Sequence, residues 1–112
     1  MLRRQSKVCI HYPLKDDQAL ILIQMDFCKF SMKATSFCGY YVDGDRERIP
    51  YEADAFINQL SHYAVDAEYG IARGSMKHLL FNPTWPTEWT LYNIFMAWYD
   101  YLYTGDLSLI HI

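Results

Sequence analysis

Four prolines limit where this chain can be helical. Pro83 and Pro86 fall together in Asn82-Pro83-Thr84-Trp85-Pro86-Thr87, and each lacks the N–H that a helix interior needs. No continuous helix passes through that stretch. Pro50 fits the first turn of a helix but not its middle, so a helix begins around Pro50–Glu52. Pro13, with Lys15, Asp16 and Asp17 close behind, cuts off the apolar run Val8-Cys9-Ile10. That run follows Arg3, Arg4 and Lys7 but is too short for a signal peptide, so residues 1–16 read as irregular.

Between these breaks the apolar residues recur at helical spacing. Leu20, Ile23, Phe27, Phe30 and Ala34 predict a helix from about Gln18 to Cys38, with Asp16 and Asp17 at its positive end and Gly39 closing it. Phe56, Leu60, Tyr63 and Ala64 predict the buried stripe of a second helix, beside a polar stripe of Asp54, Asn58 and Ser61. A third stretch runs from after Asp66 to about Phe81 with Ile71, Met76, Leu79 and Leu80. Gly70 and Gly74 weaken it by about 1 kcal/mol each relative to alanine. Glu88 lies in the first turn of a last helix, whose buried stripe is Leu91, Phe95, Trp98 and Leu102 and whose end is Thr104-Gly105. The expectation is an all-α chain of antiparallel helical hairpins without strands. Ile57, Val65, Ile94, Met96 and Tyr99 lie off these stripes. Four helices around one core would not need them; part of a larger helical assembly would.

Composition excludes several classes. With 112 residues, 52% of them hydrophobic and 17% aromatic, the chain suits one small folded domain. A net charge of -3 offers no basic face for nucleic acid, and no apolar run reaches the roughly 20 residues of a membrane span. Cys9, Cys28 and Cys38 lack metal-ligand spacing, and His11, His62, His78 and His111 are scattered, so neither a metal nor another cofactor is expected.

The chemistry concentrates between the first two helices. Asp43-Gly44-Asp45-Arg46-Glu47-Arg48-Ile49-Pro50-Tyr51-Glu52-Ala53-Asp54 holds five carboxylates and two guanidinium groups. A charge run of this kind is ordinarily a solvated loop. Here it opens a helix with aromatic flanks, and paired carboxylates beside flat rings are what sugar chemistry requires. Asp43, Asp45 and Asp54 crowd Glu47 with like charge, while Arg46 and Arg48 counter them. Asp54 is either a helix-start carboxylate or a ligand contact, and Glu88 is either a first-turn acid or a subsite contact. Trp85 and Trp89 read first as rings buried between helices and second as a stacking platform. His62 reads as structural.

DFCKFSMKATSF, YVDGDRERIPYEADAFINQLSHYAVD and PTWPTEW…YLYTGD together span about Asp26 to Asp106. In these pieces the chain resembles bacterial α-L-rhamnosidases of glycoside hydrolase family 78. The resemblance implies two hairpins of an (α/α)6 barrel over residues 17–106, acting on rhamnose-containing glycosides or polysaccharides by inversion. In the family motif D-C-P-x-R-x-E-R-x-x-W-x-G-D the glutamate is the general acid and the first and last aspartates bind sugar. Glu47 stands at the acid, Arg48 at the arginine after it and Asp54 at the last aspartate. Two residues are missing before Glu47, so either Asp43 or Asp45 stands for the first aspartate. Tyr51 occupies a position where tryptophan is common, and Ala53 replaces a glycine. The implied site is catalytic Glu47 with substrate-binding Asp43, Asp45, Arg48, Asp54, Trp85, Glu88 and Trp89. The family's base is a glutamate from a later hairpin, so the chain is expected to bear an acid without its base and to be inactive alone. Leu107–Ile112 does not continue the family pattern and looks like translated adapter read-through, which makes an incomplete reading frame the expectation. A periplasmic or secreted site for the full-length protein is compatible with the resemblance. Two other readings stand beside this one: a helical-barrel glycosidase for a different sugar, and a non-catalytic helical-hairpin interaction module.

Overall fold

A computed structural model describes residues 17–44 and 46–111. The expected irregular segment 1–16, Asp45 and Ile112 lie outside the described residues. Four long helices dominate: α1 (Asp17–Ala34), α2 (Glu52–Val65), α3 (Gly70–Phe81) and α5 (Tyr92–Thr104), with a single turn, α4 (Thr87–Thr90), before the last. The chain is mostly helical, as its periodicity predicts, but it is not free of strand. β1 (Ser36–Phe37) and β2 (Tyr40–Tyr41) pair antiparallel, Ser36 opposite Tyr41 and Phe37 opposite Tyr40.

That hairpin corrects the first helix, which ends at Ala34 and not at Cys38. Thr35 and Ser36 turn their hydroxyls back onto the carbonyls of Ser31 and Met32, at 2.9 and 2.6 Å. Local side-chain bonds of this kind compete with the next helical turn and stop it. Cys38 and Gly39 follow with φ of 52° and 83°, the left-handed pair of a tight two-residue hairpin turn. β2 then lies on α3. The Tyr41 N–H donates to Ser75 Oγ at 2.8 Å, and a Cβ on Gly74 would stand 3.3 Å from the Gly39 carbonyl oxygen. The helical cost of Gly74 thus accompanies a close approach that a larger residue would obstruct.

α2 is the central element, packed against α1, α3 and α5. The core joins Tyr41, Ala55, Tyr63, Ala72, Met76, Leu79, Met96 and Leu109, so the segment after Asp106 contributes a core residue. Two predicted stripes are wrong. Leu91, Phe95, Trp98 and Leu102 are each about half exposed, and α5 instead buries Asn93, Met96 and Asp100. On α1, Leu20, Phe27 and Phe30 are exposed, and Met32 alone is buried. α2 buries Glu52, Ala55, Gln59, His62 and Tyr63, keeping only Tyr63 of the expected stripe fully inside. A helix that is apolar on more than one side does not reveal which side faces inward.

Polar groups decide it. Asp100 is fully buried and accepts two bonds from Arg73 Nε at 3.1 Å, one from Arg73 Nη2 at 2.9 Å and one from Tyr63 Oη at 2.5 Å. Arg73 Nη1 also pairs with Asp106 at 3.1 Å. Burial and the neighbouring Asp100 carboxylate both push the Tyr63 phenol up from its ordinary value. Gln59 Nε2 donates to the Met96 carbonyl at 2.9 Å, and Tyr41 Oη shares a 2.7 Å bond with His62 Nδ1, which gives His62 a structural place. α5 ends as expected, with Gly105 at φ 71° and its N–H on the Tyr101 carbonyl. Among the described residues no helix is long and apolar enough to cross a membrane.

Candidate functional site

The acidic stretch forms a closed loop. The Asp43 N–H donates to the Ile49 carbonyl and the Ile49 N–H to Asp43 Oδ1, both at 3.0 Å. Arg48 turns the chain inside this loop with a φ of 55°, a left-handed conformation that a non-glycine residue adopts at a cost of about 1 kcal/mol. Its guanidinium carbon lies 5.1 Å from the Phe37 ring centroid, which ties the loop to the β-hairpin. Ile49 precedes proline and is biased to extended backbone. Tyr51 keeps that geometry at the helix boundary (φ −131°, ψ 147°), and α2 starts at Glu52 with Asp54 in its first turn.

The second wall comes from the proline-containing loop. Glu52 is fully buried and accepts the Thr84 N–H at 2.9 Å and also the Thr84 hydroxyl. This clamp holds the loop over the start of α2 and brings Trp85 and Trp89 opposite the acids. The two indoles sit 5.8 Å apart, and Tyr51 meets Trp89 edge-on at 6.3 Å.

The result is an open groove of about 600 Å³ lined by Asp43, Gly44, Glu47, Tyr51, Asp54, Trp85 and Trp89. Five sequence-predicted residues therefore converge: Asp43, Glu47, Asp54, Trp85 and Trp89. Arg48 faces Phe37 instead, Glu88 is exposed and does not line the groove, and Asp45 lies outside the described residues. The tryptophans are not buried between helices; Trp85 is 55% exposed. Two residues of consequence lacked a strong sequence signal. Glu52 looked like one acid among five, and Tyr51 marked only a departure from the rhamnosidase motif.

Tyr51 Oη donates to Glu47 Oε2. That bond to Glu47, more than anything else, pushes the Tyr51 phenol up to about 12. Asp54 is also raised from its ordinary value, by burial first and by the charge of Asp43 second; its own backbone N–H at the helix start pulls the other way. The arrangement thus pairs one carboxylate that accepts a bond with another that keeps its proton longer than a free aspartate. No lysine or arginine is among the described lining residues. Chemically, such a groove can accept hydroxyl donors on its acidic side and take the C–H face of a ring on its indoles. No family model matches the chain, and no curated protein or solved structure matches it either.

Proposed function

We propose that this chain supplies the acid side of a glycoside hydrolase active site and that the groove holds a terminal sugar. The observation that carries this reading is the convergence of three carboxylates and three aromatic rings, from positions 43 to 89, on one groove of about 600 Å³. Such a volume lies within the usual range of small-ligand sites. The resemblance in Asp43–Asp54 favours α-L-rhamnose as the sugar and an inverting reaction. In that reaction Glu47 protonates the glycosidic oxygen, and a carboxylate about 6.5–9.5 Å away activates water from the opposite face. Tyr51 orients the Glu47 carboxyl, Asp43 and Asp54 bind sugar hydroxyls, and Trp85 and Trp89 face the ring. The base belongs to another hairpin of an (α/α)6 barrel. The half-exposed stripe Leu91, Phe95, Trp98 and Leu102 supports such neighbours, because a face of this kind is normally covered.

Two of the three tryptophans line the groove, so intrinsic fluorescence reports on it. L-rhamnose should perturb the emission of this chain, and Asp54→Asn should abolish the response. Once a chain carrying the opposing base is used, hydrolysis of an aryl α-L-rhamnoside should follow and should be lost in Glu47→Gln. An acidic aromatic groove also suits organic cations. A response to tetramethylammonium with none to rhamnose would overturn the sugar reading.

A further inference from the structure

A pocket of about 380 Å³ lies between the ends of α1 and α2, β1 and the start of α3, sharing no lining residue with the acidic groove. Met32, Val65 and Ile71 give it an apolar half. Lys29 and Lys33, one helical turn apart on α1, give it a cationic rim, and neither makes an ion pair among the described residues. Lys33 stands in the last turn of α1, but the Ser31 and Met32 carbonyls there already accept the hydroxyls of Thr35 and Ser36.

His62 forms part of the wall although it is only 7% exposed. Its Nδ1 lies 2.7 Å from Tyr41 Oη, and the fully buried Tyr41 phenol has no other hydrogen-bond partner among the described residues. The phenol therefore donates to Nδ1, since the reverse would bury its O–H without an acceptor. That places the proton of the neutral imidazole on Nε2. The Asp66 carboxylate is 4.0 Å from Nε2, beyond hydrogen-bond reach, and its other oxygen takes the Ala67 N–H at 2.7 Å. Among the described residues, the unpaired polar side-chain atoms sealed from solvent belong to Gln59 and Asn93, so Nε2, also unpaired, is open to the pocket.

We propose that this pocket binds a small amphipathic carboxylate, with its anionic end on the His62 Nε2–H and the two lysines and its apolar body on Met32, Val65 and Ile71. Two lysines against the single Asp66 leave the lining one positive charge, which one carboxylate balances. Inorganic phosphate would bring a second charge and leave the apolar half unfilled. A zwitterionic amino acid is also a poorer occupant, because its ammonium group would meet two lysines and one acid.

The test titrates the intact chain with benzoate, benzamide and inorganic phosphate. Affinities come from calorimetry, and the His62 ring is followed by NMR. Benzoate should bind about tenfold more tightly than benzamide, because bonds to an ionised acceptor are roughly twice as strong as neutral ones, with phosphate weakest. Benzoate should also move the His62 Nε2–H resonance. Lys29→Gln combined with Lys33→Gln, both at exposed positions, should bring benzoate down to the affinity of benzamide. Equal binding of benzoate and benzamide to the wild type, an unmoved His62 signal, undiminished benzoate binding in the double variant, or tighter binding of phosphate would overturn the proposal.

Discussion

The carboxylate of Asp100 and those of Asp43, Glu47 and Asp54 show two ways of placing negative charge in one small fold. Asp100 is sealed between α2, α3 and α5, where Arg73 and Tyr63 supply four donor contacts to its two oxygens. Nothing is left over for a ligand. The groove acids have sparser company: Tyr51 on Glu47, the Ile49 N–H on Asp43, and on Asp54 the backbone at the start of a helix. Their remaining acceptor capacity points to solvent. Full satisfaction makes a strut, and partial satisfaction makes a site.

The comparison breaks most visibly at the strut. Asp100→Ala leaves the buried Tyr63 phenol without its acceptor and Arg73, 28% exposed, with only Asp106 as an acidic partner, and should cost about 3 kcal/mol in chemical denaturation. A loss under about 1 kcal/mol would show that the interior is wetter than described. Next comes Glu52, a buried acid that serves the groove from behind. Glu52→Ala removes the clamp on Thr84 and should cost about 2 kcal/mol; it should also free the Trp85 loop, read as a red-shifted indole emission.

The groove acids should behave in the opposite sense. The carboxyl of Asp54 is raised on folding, so the folded state binds its proton more tightly than the unfolded chain does. Its contribution to stability is therefore lost as pH rises from the ordinary carboxylate range through the raised value. Asp54→Asn should make the protein slightly more stable at neutral pH, with the gain fading as pH falls through the raised value and gone below roughly pH 4, while ligand binding is lost. Thermal melts across that range check the sign. The smallest effect on stability belongs to Tyr51→Phe, which should leave the denaturation midpoint unchanged while weakening the hold on Glu47. The Tyr51 phenol, near 12 in the wild type, should return toward about 10 in Glu47→Gln, followed by NMR of the tyrosine ring carbons.

Local chemistry made part of this legible in advance. Pro50, Pro83 and Pro86 placed the breaks, Gly105 the end of the last helix, and the acid run with its flanking aromatics the groove. The inward faces were illegible. On α5 the sequence offers a continuous-looking stripe of Leu91, Phe95, Trp98 and Leu102, and the helix turns it outward. The reason lies in partners far away in sequence: Asp100 needs Arg73 and Tyr63, and Gln59 needs the Met96 carbonyl. The hairpin Ser36–Tyr41 was missed for a related reason, since residues 36–38 continue the helical run as far as Gly39, and two residues on either side of a turn are too short to show the alternation of a strand.

What the sequence determined by itself is the set of things that depend on neighbours along the chain: where prolines break the helices, which loop concentrates charge, and that Asp54 sits in the first turn of the helix that follows it. The tertiary structure alone decided which acids became struts and which stayed available. A carboxylate's role follows from the donors it meets in space, and Thr84, Arg73 and Tyr63 reach Glu52 and Asp100 only after the chain has folded back on itself.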